Sequence, residues 1–289
     1  MSEISVIIVS WNAREHLRNC LASIRETRGL AVCEIIVVDN ASSDGSPEMV
    51  NESYPEVKLI RCVRNLGFAS ANNLGIRQAT GTFLALVNSD VIVHRNCFQN
   101  LTEFLDDNHD VGFVGPRVIG RDGFVQKTCG RFPTIWNTFC EFFLLGKLLP
   151  GLPGFSGFQI QTSGCEPVEV QVLSGCFLVA RKAATDQVGI LDETFFFYAE
   201  DVDWCKRLRD GGWRSIFVPA AQATHFGGGS SENTPLFFSI EMLRANLVYW
   251  RKHHGMLGEW AFFILAFLQH ATRLIVRSFL KIMLPGSSV

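Results

Sequence analysis

The segments ISVIIVS (residues 4–10) and CEIIVVDN (residues 33–40) carry the strongest structural signal in this chain. Each is a short run rich in β-branched residues without polar alternation, which indicates a strand buried on both faces of a sheet. The segment between them, AREHLRNCLASIRET (residues 13–27), has apolar residues at helical spacing. A strand, a helix and a second buried strand with short connections predict a parallel α/β sheet.

The same alternation continues to residue 90. A capped short helix in 42–54 and a strand at 57–62 precede a helix over 68–80 and a fourth strand, TFLALVNSD (82–90). The polar stretches SWN, DNASSDGS, RN and NSD end these four strands or directly follow them. Because ligands of such sheets bind at the carboxyl ends of the strands, we expect the polar chemistry to be collected on one edge.

Composition and charge limit the class of protein. With 289 residues, 47% apolar and 19% charged, the chain can form a substantial core and is too apolar for a disordered protein. A formal net charge of −2 provides no positive field for a phosphate backbone, so we expect no nucleic acid as partner. Nine cysteines without a C-x-x-C pair favour a reduced, cytoplasmic protein over a disulfide scaffold or zinc site. The N-terminal MSEISVIIVSW lacks the features of a signal peptide.

The second half of the chain is less regular. Residues 117–168 are punctuated by glycine and proline and have weak periodicity, and their apolar part suits burial, lipid or a hydrophobic substrate. The segment VQVLSGCFLVARKAA (170–184) then predicts a strand followed by a helix. The α/β pattern is therefore interrupted before it resumes.

From Pro235 onwards the pattern predicts two helices, and the second, over 259–284, is strongly apolar. Its longest uncharged run is shorter than the roughly 20 residues that span a bilayer. Arg273, Arg277 and Lys281 recur every fourth residue and share one helix face, opposite an apolar face. This pattern is typical of a helix that lies on a membrane surface. A core or oligomer-interface helix with a solvated basic stripe is the alternative, and it leaves a homodimer open.

Two of the strand ends carry acids that suit ligand binding. Asp39 is placed to accept hydrogen bonds from a nucleobase or ribose, although it could equally cap the following turn. Asn88, Ser89 and Asp90 form a short turn between buried segments, which suits a divalent cation such as Mg²⁺ or Mn²⁺. One carboxylate provides too few ligands for a metal, so diphosphate oxygens and a second side chain would have to complete the coordination shell. A simple turn is the alternative.

Two further stretches carry candidate catalytic groups. His225 precedes three glycines whose backbone N–H groups suit anions, and it could share a metal with the acid of the N-S-D turn, although a lone histidine is usually structural. FFFYAEDVDW (195–204) places Glu200, Asp201 and Asp203 after four aromatics, at a predicted helix start. The helix start stabilises negative charge by roughly 0.3–1 kcal/mol, whereas the aromatics and the neighbouring acids favour protonation, a balance that suits a general base. The alternative is that the three acids are ordinary residues of the helix N-terminus without a catalytic role.

Several of these motifs occur in a recognisable order, namely S-W-N, V-V-D-N-A-S-x-D-G-S, R-N-x-G-F-A, N-S-D, S-G-C-F-L-V-A-R, F-x-Y-A-E-D-V-D-W-C-x-R and H-F-G-G-G-S. In type and order they resemble glycosyltransferase family 2, in particular its rhamnosyltransferase-type members, over residues 4 to 231. The resemblance implies a GT-A fold and inverting transfer of a sugar from a nucleotide diphosphate donor. It also implies roles for single residues: Asp201 as catalytic base; Glu200 and Tyr198 at the acceptor; Ser10, Trp11, Asn12, Asp39, Asn65, Asn88 and Ser89 at the nucleotide; Asp90 and His225 at a metal.

One position departs from the family's pattern. The metal motif often begins with Asp where this chain has Asn88, so a carbonyl oxygen replaces a charge and metal affinity would be lower, although many similar members also carry Asn. With the resemblance ending at 231, we expect a GT-A domain at 1–231, with a nucleotide-binding half (1–115) and an acceptor-binding half (116–231). The basic and apolar pattern beyond it predicts a membrane-associating helical extension at 232–289.

The resulting prediction is an α/β protein of GT-A type, with a mostly parallel central sheet flanked by helices and a C-terminal helical extension. It would be a metal-dependent, inverting hexosyltransferase of cell-surface polysaccharide synthesis, using Mg²⁺ or Mn²⁺. Its donor would be a dTDP-, UDP- or GDP-sugar, with rhamnose favoured by the resemblance, and its acceptor a glycan or a polyprenyl-linked glycan. We expect it in the cytoplasm, peripherally bound to the inner face of the membrane.

Two other functions are compatible with a sheet of this kind. A non-catalytic scaffold would bind a nucleotide sugar without turnover, and the intact acids in 200–203 disfavour it. A sugar-nucleotidyltransferase normally needs a glycine-rich, basic phosphate loop after the first strand, where this chain has SWNAREH.

Overall fold

The computed structural model describes residues 3–27, 32–149, 152, 154–160, 164–227 and 235–283. Its strands are β1 (Ile4–Ser10), β2 (Val32–Asp39), β3 (Lys58–Arg61), β4 (Phe83–Val87), β5 (Val91–Val93), β6 (Val111–Gly120), β7 (Cys129–Gly130), β8 (Gln159–Ile160), β9 (Val168–Val170), β10 (Val172–Leu173), β11 (Phe177–Arg181) and β12 (Arg214–His225). Its helices are α1 (Arg14–Thr27), α2 (Ser46–Ser53), α3 (Gly67–Gln78), α4 (Cys97–Asp107), α5 (Ile135–Phe142), α6 (Leu145–Leu148), α7 (Lys182–Val188), α8 (Glu200–Asp210) and α9 (Pro235–Met283).

The central sheet has the order β3-β2-β1-β4-β11-β6-β12-β5, with β9 added beside β12. Strands β3, β2, β1 and β4 are parallel, as the alternating pattern predicts. Strand β11 runs antiparallel between β4 and β6, and β12 is parallel to β6 but antiparallel to β5 and β9. The predicted α/β class is confirmed, and its sheet is mixed, with the parallel part confined to the first four strands and the β6–β12 pair.

Successive side chains of a buried strand point to opposite faces of the sheet, and here both sets are apolar. Helices therefore cover both faces. On one face, Leu17 of α1 and Leu101 of α4 join a core with alternate residues of β1. On the other face, Trp204 of α8 packs in a core with Ile7 of β1. Helix α3 lies so close to this face that a Cβ at Gly75 would come within 2.4 Å of Cγ2 of Ile7. This close packing holds α3 against the sheet.

Contacts among the described residues group the chain into two compact units, Met1–Phe132 with Ile160–Ala245, and Pro133–Gln159 with Asn246–Val289. The first unit contains the central sheet. The second contains α5, α6 and the later part of α9, and within it Trp250 and Phe262 stack with ring centroids 5.8 Å apart.

Helix α5 lies in the segment 117–168, whose periodicity in the sequence is weak. Its first turn is held by Thr134, whose side chain accepts a hydrogen bond from the backbone N–H of Asn137, while the Asn137 side chain accepts one from the backbone N–H of Thr134. This reciprocal capping stabilises a helix start from two residues alone. The spacing of Thr134 and Asn137 was the available sign of a helix start. The helix is too short for its helical period to be recognised in the sequence.

Helix α9 contains a kink at Gly255, where φ is 68°. The prediction of two helices after Pro235 is therefore confirmed, with the break at a residue whose left-handed backbone favours glycine. By length and composition alone, Leu236–Val276 is apolar enough to cross a membrane, with a mean hydropathy of 1.2 in its qualifying window. The side chains of Arg277 and Lys281, two members of the predicted basic stripe, are outside the described residues.

Candidate active site

A cavity of about 280 Å³ opens at the polar edge of the sheet, entirely within the first compact unit. Its lining combines the end of β1, the turn after β4, the start of α8 and the end of β12. The sequence-predicted residues that line it are Trp11, Asn65, Asn88, Ser89, Asp90, Tyr198, Glu200, Asp201 and His225. Ser10, Asn12 and Asp39 are not among its lining residues.

The side chains of Asp90 and His225 meet on one side of the cavity. The backbone brings them together, because His225 pairs with Val91 across β12 and β5, and Phe226 N donates to Asp90 O at 3.1 Å. As a result, Nε2 of His225 lies 3.2 Å from Oδ1 of Asp90. Asn88 Nδ2 lies 3.5 Å from the same ring nitrogen. A carboxylate, an imidazole and an amide therefore converge on one point.

This donor set fits a divalent ion only if a ligand completes the coordination. Oxygen and imidazole nitrogen suit Mn²⁺, and carboxylate oxygen suits Mg²⁺. Among the described ranges of the chain, no group of three or more His, Cys, Asp or Glu side chains could hold a metal. The two side chains Asp90 and His225 would thus hold a metal together with oxygens from a bound diphosphate.

Asp39, Ser10 and Asn12 do not line the cavity, but each is next in sequence to a residue that does, Asn40 or Trp11. Asp39 is 3% exposed, and its Oδ2 accepts a hydrogen bond from Ser42 N at 3.2 Å. In the described part of the chain, Asp39 Oδ1 and Ser10 Oγ are buried without a hydrogen-bond partner. Asn12 ties two loops together, since its Oδ1 accepts from Ser43 N at 2.8 Å. Asp39 therefore caps the following turn with Oδ2, while its Oδ1 has no partner among the described residues, and its contact with a nucleotide stays a prediction.

Asn40, which sequence reasoning missed, orients Asn65. Leu66 N donates to Asn40 Oδ1 at 2.7 Å, so the other end of the Asn40 amide must be its nitrogen. That Nδ2 donates to Asn65 Oδ1 at 2.8 Å, and Gly67 N donates to the same oxygen at 2.9 Å. Asn65 therefore presents its Nδ2 as the group available to a ligand in the cavity. The sequence feature that could have identified Asn40 is its position directly after Asp39, the acid at the end of β2.

The acids of α8 follow a strained turn. Tyr198 and Ala199 both have positive φ, 73° and 63°, which is costly for residues with a Cβ. This turn directs Asp201 to the cavity, where its Oδ2 accepts from Gly175 N and its Oδ1 from Val202 N, each at 2.8 Å. Glu200 is 6% exposed, and its Oε2 has no hydrogen-bond partner among the residues that the structure describes.

The two adjacent acids differ in their proton affinity. Burial raises the pKa of Asp201, although its two backbone N–H donors favour the charged form and oppose the rise. Burial, followed by the negative charge of Asp201, raises the pKa of Glu200 well above its ordinary value. Asp201 is therefore the acid that ionises more readily, and Glu200 is the one that holds its proton more strongly.

Asp203 has a structural role. It is fully buried, and its Oδ2 accepts from Arg207 Nε at 2.9 Å within α8. Arg207 in turn donates to the backbone oxygens of Val188 and Ile190 at the end of α7 and just beyond it. The sequence predicted Asp203 as one of three acids at the helix start. In the structure its charge also holds Arg207, which packs α8 against the residues that follow α7.

We expect Asp203→Ala to lower the free energy of unfolding by about 3–5 kcal/mol, because it leaves the Arg207 charge unpaired in a largely buried site. Urea unfolding measures this change. Asp210→Ala is the matched control, since Asp210 forms an i,i+4 pair with Lys206 on the same helix but is 57% exposed. That control should cost less than about 1 kcal/mol. Equal effects of the two substitutions would contradict the structural role.

Aromatic side chains form part of the cavity wall. Phe196, Phe197 and Tyr198 line the cavity, and the start of α9 adds Phe237 and Phe238. The ring centroids of Phe197 and Tyr198 are 4.5 Å apart, and those of Phe197 and Phe238 are 5.1 Å apart. Phe196 and Phe197 belong to the aromatic strip that precedes the acids in the sequence and that is predicted to pack against an acceptor. The lining residues that sequence reasoning did not assign are Val9, Asn40, Gly67, Phe68, Ser174, Gly175, Cys176, Phe237 and Phe238.

The helix-flanked sheet, with acids and a histidine at its strand ends, defines a GT-A type transferase fold. Two solved structures share it. A mannosyltransferase from Pyrobaculum calidifontis in complex with GDP-Man and Mn²⁺ is 18% identical with a TM-score of 0.61, covering 98% of this chain and 81% of that chain. GalNAc-T7 with UDP, GalNAc and Mn²⁺ is 16% identical with a TM-score of 0.60, covering 78% of this chain and 44% of that one.

The chain belongs to glycosyl transferase family 2, whose family model matches residues 5–188. It is thus a glycosyltransferase, as the motifs predicted. It is 28% identical over 270 residues to the N-acetylglucosaminyl-diphospho-decaprenol L-rhamnosyltransferase of Mycobacterium tuberculosis, covering 89% of this chain and 86% of the relative. It is also 26% identical to the low-salt glycan biosynthesis hexosyltransferase Agl10 of Haloferax volcanii, over 72% of this chain and 62% of that protein.

Proposed function

We propose that this glycosyltransferase is metal-dependent and inverting, and that it transfers a sugar, with rhamnose as the first candidate, to a lipid-linked glycan in cell-surface polysaccharide synthesis. The observation that carries the proposal is the shared cavity of Asp201 and the Asp90–His225 pair. The similarity to a rhamnosyltransferase named for a polyprenyl-diphosphate acceptor supports the sugar and the acceptor.

Inverting transfer needs a stabilised leaving group and a base on the acceptor side. A divalent ion held by Asp90 and His225 would neutralise the charge that develops on the diphosphate. Asn88 and Ser89, in the same turn, would contact the diphosphate or the ribose. This assignment uses Asp90 Oδ1 and Asn88 Nδ2, which lie 3.2 Å and 3.5 Å from His225 Nε2.

Asp201 is the proposed base. Its carboxylate is held by two backbone donors, so its orientation does not depend on the substrate. Glu200 keeps its proton more strongly and would donate a hydrogen bond to the acceptor. The Tyr198 ring and the other aromatics would pack against the acceptor sugar, since aromatic faces bind apolar sugar surfaces.

The nucleotide would bind between Trp11 and Asn65. Asn65 Nδ2 would donate to a carbonyl of the base, and Asp39 Oδ1 would accept an N–H if the ligand reaches beneath the cavity surface. Ser10 supplies a second buried and unused oxygen beside it, and Asn12 would hold the loop that carries Trp11. This set suits the imide edge of uracil or thymine, which offers acceptor, donor and acceptor in a row.

A thermal-shift panel of dTDP, UDP and GDP, each with and without Mn²⁺ or Mg²⁺, tests the class of function. We expect one nucleotide to raise the melting temperature more in the presence of metal than in its absence, because ligand binding stabilises the folded state. A shift with nucleotide but no transfer from the matching nucleotide sugar would favour the non-catalytic scaffold. With dTTP, UTP and GTP added to the same panel, a larger shift for a triphosphate than for its diphosphate would favour a sugar-nucleotidyltransferase.

We further propose that residues 1–231 form the catalytic domain, in the two halves given above, and that residues 232–289 bind the inner face of the membrane. Helix α9 supports this with large apolar side chains that are exposed after the kink: Met256, Leu257, Trp260, Phe263, Ile264, Phe267, Leu268, Leu274, Ile275 and Val276. Exposed apolar side chains of this density on a helix with basic residues suit a lipid surface.

Replacing Leu257, Trp260 and Phe267 by glutamate should lower binding to vesicles of mixed neutral and anionic lipid by at least about tenfold, because each charge opposes insertion. Cosedimentation with the vesicles measures this effect. The control carries three glutamates at Asn19, Gln78 and Gln99, which are exposed polar positions of α1, α3 and α4. Unchanged binding of the α9 variant, or a shift from dimer to monomer in light scattering, would instead indicate an oligomer interface.

A further inference from the structure

Gln126 lies beside His225 on a hairpin that follows β6. Its backbone N–H donates to Val118 O at 2.9 Å, and an isolated bridge joins Ile119 to Val125. Strand β6 runs parallel to β12 with Gly120 opposite His225. Two neighbouring strands therefore fix the separation of Gln126 and His225 through their backbones, independently of any ligand.

The Gln126 amide contacts His225 at two points. Its Nε2 donates to the backbone oxygen of His225 at 3.0 Å, and its Oε1 lies 2.9 Å from Nδ1 of the ring. A backbone oxygen only accepts hydrogen bonds, so the amide nitrogen must face it and Oε1 must face the ring. Because Oε1 also only accepts, Nδ1 carries a proton. In the neutral ring, Nε2 then has the lone pair.

That lone pair is directed at a carboxylate. His225 Nε2 is 3.2 Å from Asp90 Oδ1. Two acceptors at this distance are stabilised when a cation lies against both of them. Histidines that bind metals almost always donate their other N–H to an oxygen, which fixes the ring orientation and makes the ligating nitrogen a stronger donor. Gln126 is in the position of that oxygen.

We propose that Gln126 is a positioning residue that holds His225 with Nδ1 protonated and Nε2 turned towards Asp90, so that the pair is prepared for a divalent cation. The inference rests on the proposed metal-dependent function. Gln126 does not line the active-site cavity, so it acts on the ligand through His225 and makes no contact of its own. No motif that marked the other site residues includes it.

The affinity for Mn²⁺ in the presence of saturating UDP or dTDP tests the proposal, with unbound Mn²⁺ measured by electron paramagnetic resonance. We expect Gln126→Leu to weaken Mn²⁺ binding by about 10–100-fold, the usual effect of removing such a partner. Gln126→Glu keeps an oxygen acceptor for Nδ1–H but loses the donor to the His225 backbone oxygen, so its Mn²⁺ affinity should lie between those of Gln126→Leu and the wild type. Gln187→Leu is the matched control, because Gln187 bonds Trp213 and Gly211 outside the cavity.

Nitrogen-15 NMR of histidine-labelled protein gives a second readout that a purely structural residue would not move. The wild type and Gln126→Glu should show His225 protonated at Nδ1, and Gln126→Leu should lose this signature. Wild-type affinity for Mn²⁺ in Gln126→Leu, or a His225 ring protonated only at Nε2 in the wild type, would overturn the inference alone. Absence of Mn²⁺ binding by the wild type with UDP, dTDP and GDP would overturn the metal-dependent function, and the inference with it.

Discussion

Asp201→Asn should lower kcat for sugar transfer by about 10²–10⁴-fold, the usual contribution of a general base. The amide keeps the size of the side chain and an oxygen for Gly175 N–H, but it cannot take a proton from the acceptor hydroxyl. The dissociation constant of the nucleotide should be unchanged, because Asp201 is assigned to the acceptor side. Initial rates and calorimetric titration of the donor nucleotide separate these two effects.

Asp210→Asn, an exposed substitution on the same helix, is the control and should retain the wild-type rate. Glu200→Gln distinguishes the two adjacent acids, since it keeps a hydrogen-bond donor and should reduce the rate less than Asp201→Asn. A full rate in Asp201→Asn combined with a large loss in Glu200→Gln would reverse their roles.

The pH dependence of kcat/KM follows from the same assignment. The base works only when deprotonated, and burial raises the pKa of Asp201, so the rate should rise with pH over a range above the ordinary aspartate value of about 4. The stability that this carboxyl contributes has the opposite sign: it is fully present below the unfolded-state pKa and is lost as pH rises through the higher folded-state pKa. An acidic limb at or below pH of about 4 would contradict the assignment.

Asp90→Asn should produce the second large loss, at least about 10³-fold in transfer rate, because a metal at a developing negative charge supplies several kcal/mol. The substitution removes the charge and leaves the turn before β5 intact, since Phe226 bonds the backbone oxygen of Asp90. The stabilisation of the nucleotide complex by Mn²⁺ should disappear as well, which calorimetry measures.

Asp107→Asn, at an exposed position of α4, is the matched control for the loss of one negative charge. If Asp90→Asn bound nucleotide with the same dependence on Mn²⁺ as the wild type, the metal site would lie elsewhere. If transfer by the wild type were unaffected by a chelator, the metal would have no role in the reaction.

The first four strands could be predicted because each is a short local segment rich in apolar residues, and helices of clear period join them. The insertion of β11 between β4 and β6 could not, since pairing between residues as distant as Leu86 and Leu178 leaves no periodic signal in either strand. The same limit explains the mixed sheet. The parallel part was visible in the sequence and the antiparallel part was not.

The candidate site divides in a similar way. Asp90, His225 and Asp201 could be singled out because each is a chemically distinctive residue at the end of a strand or the start of a helix. Gln126 lies in the stretch with weak periodicity, and Phe237 and Phe238 come from a helix that the sequence associated with the membrane. Their contribution depends on tertiary packing, which no local pattern reports.

The most direct test of the central claim is the anomeric configuration of the transferred sugar. Purified wild-type protein would be incubated with dTDP-rhamnose, UDP-sugars or GDP-sugars, Mn²⁺, and a polyprenyl-diphosphate N-acetylglucosamine acceptor, and the product examined by NMR. We expect one donor to give a glycosidic bond of configuration opposite to that of the donor, formed only in the presence of metal. Transfer with retained configuration, transfer without metal, or no transfer from any of these donors would contradict the account.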